Sequence, residues 1–302
     1  MDRFEAMSIL VAAVEAGSFS GASRKLGVPL PTISRKVAEL EAHLSTRLLV
    51  RTTRKLTLTD AGAVYLAASK RILEQVGEAE RLASGEYMMP RGDLVITAPI
   101  VFGRLHVLPV VNDFLASFPE INVRMVLSDR NVHLVDDQID MAVRVGHLPD
   151  SSMVATRVGS ISRAACASPA FLAAHGMPKT PADLTGLPCV AFDGLSEGTT
   201  WMFSSADRQQ MQSIRVHPRL VVNTAEAAID AAIAGVGVTQ VLSYQAVQAI
   251  EEGKLVRILR EFERPPVPVS LIHAGQGLLP LKMRSFLEFA APRLRKALVG
   301  VE

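Results

Sequence analysis

The chain is expected to fold as α plus α/β: a small helical head with a two-stranded wing, one long linker helix, and a larger two-lobed α/β domain. Three observations predict this. Early residues carry apolar side chains at helical spacing, broken by Gly and Ser and followed by two short strand-like runs; residues 59–90 sustain an apolar seam; from Asp93 onward strand-like and helix-like runs alternate. The expected boundaries are 1–58 for the head, 59–90 for the linker and 91–302 for the large domain, the last split into lobe I (91–161 and 268–302) and lobe II (162–267).

In the head, Phe4, Met7, Val11 and Val14 recur at helical spacing and predict one buried stripe on a first helix that ends at Gly17 and Ser18. Ser18 or Ser20 then caps a short second helix with Phe19, Ala22 and Leu26 inward, and Gly27 supplies the permissive backbone of a sharp turn. A third helix follows, in which Ile33, Val37, Leu40 and Leu44 face the core, leaving Thr32, Ser34, Arg35, Lys36 and Glu39 on the other faces. Strands Leu48 to Arg51 and Lys55 to Leu58, joined through Thr52, Thr53 and Arg54, make a wing whose cations reach backbone phosphates. Helix, turn, helix and wing in this order describe a winged helix-turn-helix with its third helix in a major groove.

Charge points the same way. From Arg24 to Lys55 there are eight cations against two anions, a local balance of +6 in a chain whose formal net charge is only +2. That concentration is the electrostatic footprint of a nucleic-acid contact. The residues expected at the DNA are Ser18, Ser20, Arg24, Leu30, Pro31, Thr32, Ser34, Arg35, Lys36, Arg51, Thr52, Thr53, Arg54 and Lys55.

The run MDRFEAMSILVAAVEAGSFSGASRKLGVPLPTISRKVAELEAHLSTRLLVRTTRKLTLTDAG resembles, without gaps, the amino-terminal domain of the LysR-type transcriptional regulators. The resemblance implies a bacterial repressor or activator that binds double-stranded DNA as a dimer of dimers, answers to a small metabolite and has RNA polymerase as a further partner. One departure stands out. Where the family commonly has Ser-Gln-Pro before the third helix, this chain has Pro29-Leu30-Pro31. Pro31 fits a first helical turn, but Pro29 offers no side-chain cap and Leu30 no amide for adenine. Base reading is expected to shift to Thr32, Ser34 and Arg35, with Leu30 limited to an apolar contact with a thymine methyl.

Thr59 is expected to cap the linker helix, whose Tyr65, Ile72 and Ala79 recur at heptad spacing with Ala68 and Leu82 alongside, a seam suited to pairing with another copy in a homodimer or homotetramer. Beyond it, the two expected lobes with two crossovers resemble the effector domain of the LysR family and the periplasmic binding proteins. A small-molecule effector then belongs in the cleft, near carboxyl ends of strands and amino termini of helices. The residues expected there are Pro99, Ile100, Val101, Phe102, Ser128, Asp129, Gly146, His147, Thr199, Thr200, Trp201, Asn223 and Thr224, although Thr224 reads equally as a helix cap and Trp201 as core. Relatives that sense small carboxylates often have hydroxyl residues where this chain has Pro99 to Phe102, which favours an aromatic or weakly polar effector.

Other function classes find little support. There is no Gly-rich phosphate loop, nucleophile elbow or HExxH motif, and the seven histidines are scattered, so neither enzyme, cofactor nor metal is expected. A solute-binding protein would share the lobes but not the basic head. Neither a leader pattern nor an apolar run of about 18 residues is evident, so the expected compartment is the cytoplasm, away from membranes. Cys166 and Cys189 lie in apolar runs and read as small buried hydrophobes; the alternative is a thiol-responsive regulator of the same architecture.

Overall fold

The computed structural model describes residues 2–51, 56–84, 89–130, 134, 137–148, 153–193, 199–275 and 279–299. They form two compact units, one ending at Met89 and one beginning at Pro90.

In the first unit, helix α1 (Arg3–Glu15) is started by Asp2, whose carboxylate accepts the amides of Phe4 and Glu5. Its burial differs from the expected stripe: Ala6, Met7, Ile9, Leu10, Ala12 and Ala13 are buried, whereas Phe4 is half exposed. The reason is tertiary, since α2 (Phe19–Leu26), α3 (Leu30–His43) and the linker helix all pack on α1, and a helix covered on several sides loses its single apolar face. Ser18 caps α2 by accepting the Gly21 amide at 3.0 Å, and Gly27 ends it in the left-handed conformation at φ 66°. Ile33, Val37 and Leu40 of α3 are fully buried. Strands β1 (Leu49–Arg51) and β2 (Leu56–Leu58) pair antiparallel, Leu49 opposite Leu58, and Glu41 of α3 anchors them by accepting the amides of Leu48 and Leu49. Helix α4 (Asp60–Ser84) opens on Thr59, whose hydroxyl accepts the Gly62 amide at 2.9 Å, a cap worth about 1 kcal/mol.

In the second unit, β3 (Gly92–Ala98) leads into α5 (Ile100–Ser117), whose middle turns, Gly103–Val107, are π-helical. β4 (Ile121–Leu127), β5 (Met141–Val145) and β6 (Met153–Ile161) complete the first half. The chain then crosses to β7 (Arg163–Ala167), α6 (Pro169–His175), β8 (Pro188–Phe192), the hairpin β9 (Thr200–Ser204) and β10 (Met211–Arg215), β11 (His217–Val222), α7 (Ala225–Ile233), β12 (Val238–Leu242), α8 (Ser243–Glu251) and β13 (Val256–Ile258). It returns through β14 (Val267–Ala274) and ends in α9 (Leu281–Leu298).

Two five-stranded sheets result, ordered β4-β3-β5-β14-β6 and β11-β8-β12-β7-β13. Each has two parallel pairings followed by two antiparallel ones. Helix α5 begins at Ile100, two residues after β3 ends. Periodicity predicts neither strand β8 nor the β9–β10 hairpin: β8 (PCVAF) is a short, wholly apolar run without alternation, because a parallel strand covered on both faces has no polar side. Helix α5 is apolar and long enough by composition to cross a membrane, yet it buries Val101, Phe102, Val107, Val110, Val111 and Phe114 in its own domain's core.

Candidate functional site

The head presents α3 as a helix with one buried and one solvent-facing side. Beside buried Ile33, Val37 and Leu40, the outer surface carries exposed Leu30, Pro31 and Arg35, with Thr32, Ser34 and Lys36 half-buried. Pro29 precedes the helix with no side-chain cap; its carbonyl accepts the amides of Thr32 and Ile33 instead. The cations here are held by ion pairs: Arg35 with Glu39 at 3.0 Å and Lys25 with Glu15 at 2.8 Å, both exposed, and half-buried Lys36 with Glu5. Lys25 and then Lys70 hold the Glu15 carboxyl below the usual carboxylate range. Arg24 is exposed and Ser20 lies within α2, so of the two expected caps only Ser18 serves. Thr52, Thr53, Arg54 and Lys55 lie outside the described residues, as does the Arg51 side chain.

The linker seam is only partly as expected. Tyr65 and Leu66 pack onto the head's own core, while Val64 and Ile72 are exposed apolar residues of α4, at 65% and 37%.

In the second unit a cleft with a cavity volume of about 130 Å³ is lined by strand ends and loops from both sheets. Pro99, Ser128, Asp129, Arg144, Val145 and Gly146 line it from the first lobe. Arg163, Phe192, Leu242, Tyr244 and Gln245 line it from the second, and Val267 stands where the chain returns. Asp129 accepts the Ile100 amide at 3.0 Å and so caps α5 from a neighbouring loop. Burial raises its carboxyl pKa, opposed by that hydrogen bond and reinforced by the charge of Glu226. Burial pushes the guanidinium of Arg163 below its ordinary range, the Arg264 cation adding to this, and burial does the same to Arg144. The Nε of Arg163 is buried with no hydrogen-bond partner among the described residues. Burial also raises the Tyr244 hydroxyl, and Gln245 uses its carbonyl oxygen to accept the Leu242 amide at 2.9 Å.

Two families match this chain: residues 4–63 match "Bacterial regulatory helix-turn-helix protein, lysR family" and residues 89–295 match "LysR substrate binding domain". The chain belongs to the LysR-type transcriptional regulators. It is a regulator with a helix-turn-helix DNA-binding head and a substrate-binding effector domain. An HTH-type transcriptional regulator of Xanthomonas campestris pv. campestris is 35% identical over 288 residues, covering 95% of this regulator and 84% of that protein. The HTH-type transcriptional regulator CrgA of Neisseria meningitidis serogroup B is 31% identical over 300 residues, with 98% of each chain covered. Among solved structures, CrgA superposes with a TM-score of 0.61 at 28% identity, covering 96% of this regulator and 98% of that chain. The full-length Vibrio cholerae virulence activator AphB superposes with a TM-score of 0.60 at 25% identity, covering 96% and 98%.

Of the residues expected at the effector, the cleft brings together Pro99, Ser128, Asp129 and Gly146. The others are placed elsewhere. Val101 and Phe102 are core residues, because α5 starts at Ile100 and turns them inward; Phe102 meets Tyr244 edge to face, ring centroids 5.5 Å apart, and so packs lobe on lobe. Ile100 serves through its backbone amide. Trp201 is 1% exposed in the second lobe's core, with Thr199 and Thr200 beside it at the start of the hairpin, none of them lining the cleft. Thr224 caps α7 by accepting the Ala227 amide, and Asn223 and His147 are exposed outside the cleft. Ile100, Val101 and Phe102 thus lie off the cleft wall.

Sequence reasoning missed Arg144, Val145, Arg163, Phe192, Leu242, Tyr244, Gln245 and Val267. One signal was present: Arg144 lies within the otherwise apolar strand MAVRV and Arg163 opens the otherwise apolar RAACA, and cations are uncommon in such runs. Both cysteines are buried free thiols, and burial raises each thiol pKa to about 12, so neither has the thiolate character a redox switch needs.

Proposed function

We propose that α3 reads operator bases through Thr32, Ser34 and Arg35 while the wing cations hold phosphates, and that effector occupancy of the cleft between the lobes changes how the subunits sit on DNA. The observation that carries the first half is the outer face of α3: Arg35 is exposed directly beside the buried Ile33–Val37–Leu40 row, where a bidentate contact to guanine is sterically open. Leu30, 43% exposed, supports an apolar contact with a thymine methyl. Exposed Val64 and Ile72 on α4 support pairing with the linker of a second copy, and a homodimer or homotetramer follows, with RNA polymerase as a further partner. The cytoplasm is the compartment in which such a regulator acts.

The test is binding to DNA sequences selected from a random pool by the full chain. Arg35→Ala should cost about 1–3 kcal/mol on the selected operator and little on unrelated duplex. Equal losses on both would reduce Arg35 to a phosphate contact.

A further inference from the structure

We infer that the effector is a small organic anion, a carboxylate on a compact apolar body, whose charged end is held between Arg144 of one lobe and Arg163 of the other. This rests on the reading of the cleft as the effector site and names the chemistry that site takes.

The first observation is the orphaned Nε–H of Arg163, buried at the cleft with no acceptor among the described residues. A charged donor removed from water without a partner is costly, and an acceptor delivered by a ligand relieves that cost. Burial and the nearby Arg264 cation both disfavour the charged guanidinium, and a bound anion reverses both effects.

The second is topological. Arg144 sits in β5 of the first sheet, and Arg163 is the first residue of β7, just after the chain crosses to the second sheet. An anion between them draws on one cation from each lobe, which makes occupancy a lobe-to-lobe clamp.

The third removes the obvious competing place for an anion. The amino terminus of α5 adjoins the cleft at Pro99, and a helix start ordinarily attracts a ligand carboxylate. Here the Ile100 amide already donates to Asp129, so the protein's own carboxylate occupies that end and repels a second one. Phe192, Leu242 and Val267 supply the apolar wall, and about 130 Å³ suits a body of roughly six non-hydrogen atoms, since an engineered cavity of about 150 Å³ takes up benzene.

The experiment is a thermal-shift and calorimetric titration of the full chain with isobutyrate and benzoate, their neutral amides isobutyramide and benzamide, and inorganic phosphate. At least one acid should bind tenfold or more tightly than its amide and than phosphate, and Arg163→Gln should erase that preference without lowering the melting temperature of the unliganded protein. Amides that bind as well as acids, a preference that survives Arg163→Gln, tighter binding of phosphate, or no binding by either acid would each overturn the assignment. Val267→Trp, which fills the cleft, separates the two readings. Amide binding that this variant blocks leaves the cleft as the effector site and removes only the anion; acid binding that it leaves untouched removes the cleft as well.

Discussion

The cations of the head and those of the cleft work under opposite conditions. On α3, Arg35 lies at the surface in a pair with Glu39, which water and salt weaken to little net energy, so exchanging that partner for DNA phosphates or bases costs little. In the cleft, Arg144 and Arg163 are partly withdrawn from water, and the Arg163 Nε–H has no acceptor among the described residues. A surface cation attracts a polyanion at long range and releases counterions; a desolvated one discriminates at short range. Burial thus separates the two sets of cations, exchangeable with solvent ions in the head and desolvated in the cleft.

The largest expected effect separates the two regions outright. A Cβ added at Gly62 would stand 1.9 Å from the Leu48 carbonyl oxygen, a backbone clash that no rotamer relieves. Gly62→Ala should destabilise the head by about 3 kcal/mol and abolish operator binding, while ligand binding by the effector domain persists. Concerted loss of both activities would show that the regions do not function separately.

A smaller effect sharpens the surface half of the comparison. Replacing Arg51, Arg54 and Lys55 with Ala should weaken binding to operator and random duplex alike, and lower the log–log salt slope by about 0.9 for each phosphate that is no longer neutralised. An unchanged slope in a folded triple variant would take the wing off the DNA.

The smallest concerns burial behind the cleft wall. His106, in the π-helical stretch of α5, packs against Phe102 and Tyr244 at 4.8 and 5.6 Å between centroids, and its buried Nε2 has no partner among the described residues. Burial therefore depresses its pKa below the ordinary 6.5. Above that value neither folded nor unfolded chain holds the proton and stability is unaffected; as pH falls through it the unfolded chain takes up a proton that the folded one resists, and stability declines. His106→Phe should soften the fall in melting temperature between about pH 7 and pH 5, read as the difference between variant and parent. Parallel curves would mean that other groups carry the acid response.

Most of the head was legible because its determinants are local. Ser18, Gly27 and Thr59 act on their own turns, and the Ile33–Val37–Leu40 row is written at helical spacing. Most alternating elements of the large domain were readable as well, β8 and the β9–β10 hairpin excepted. The cleft was not, because it is assembled from residues as far apart as Pro99 and Val267, and lining depends on which way a strand end or first helical turn faces. Phe102 shows how this fails: one turn of extra helix, started by Pro99 and capped from a distant loop by Asp129, rotated it from the expected wall into the core. By itself the sequence determined the helix-turn-helix, the wing strands, the linker helix and most of the alternating strands and helices, because caps, turns and periodicity are properties of neighbouring residues. Only the tertiary structure decided that Arg144 and Arg163 share a cleft and that Asp129 occupies the α5 terminus, since burial and charge proximity are set by packing between segments distant along the chain.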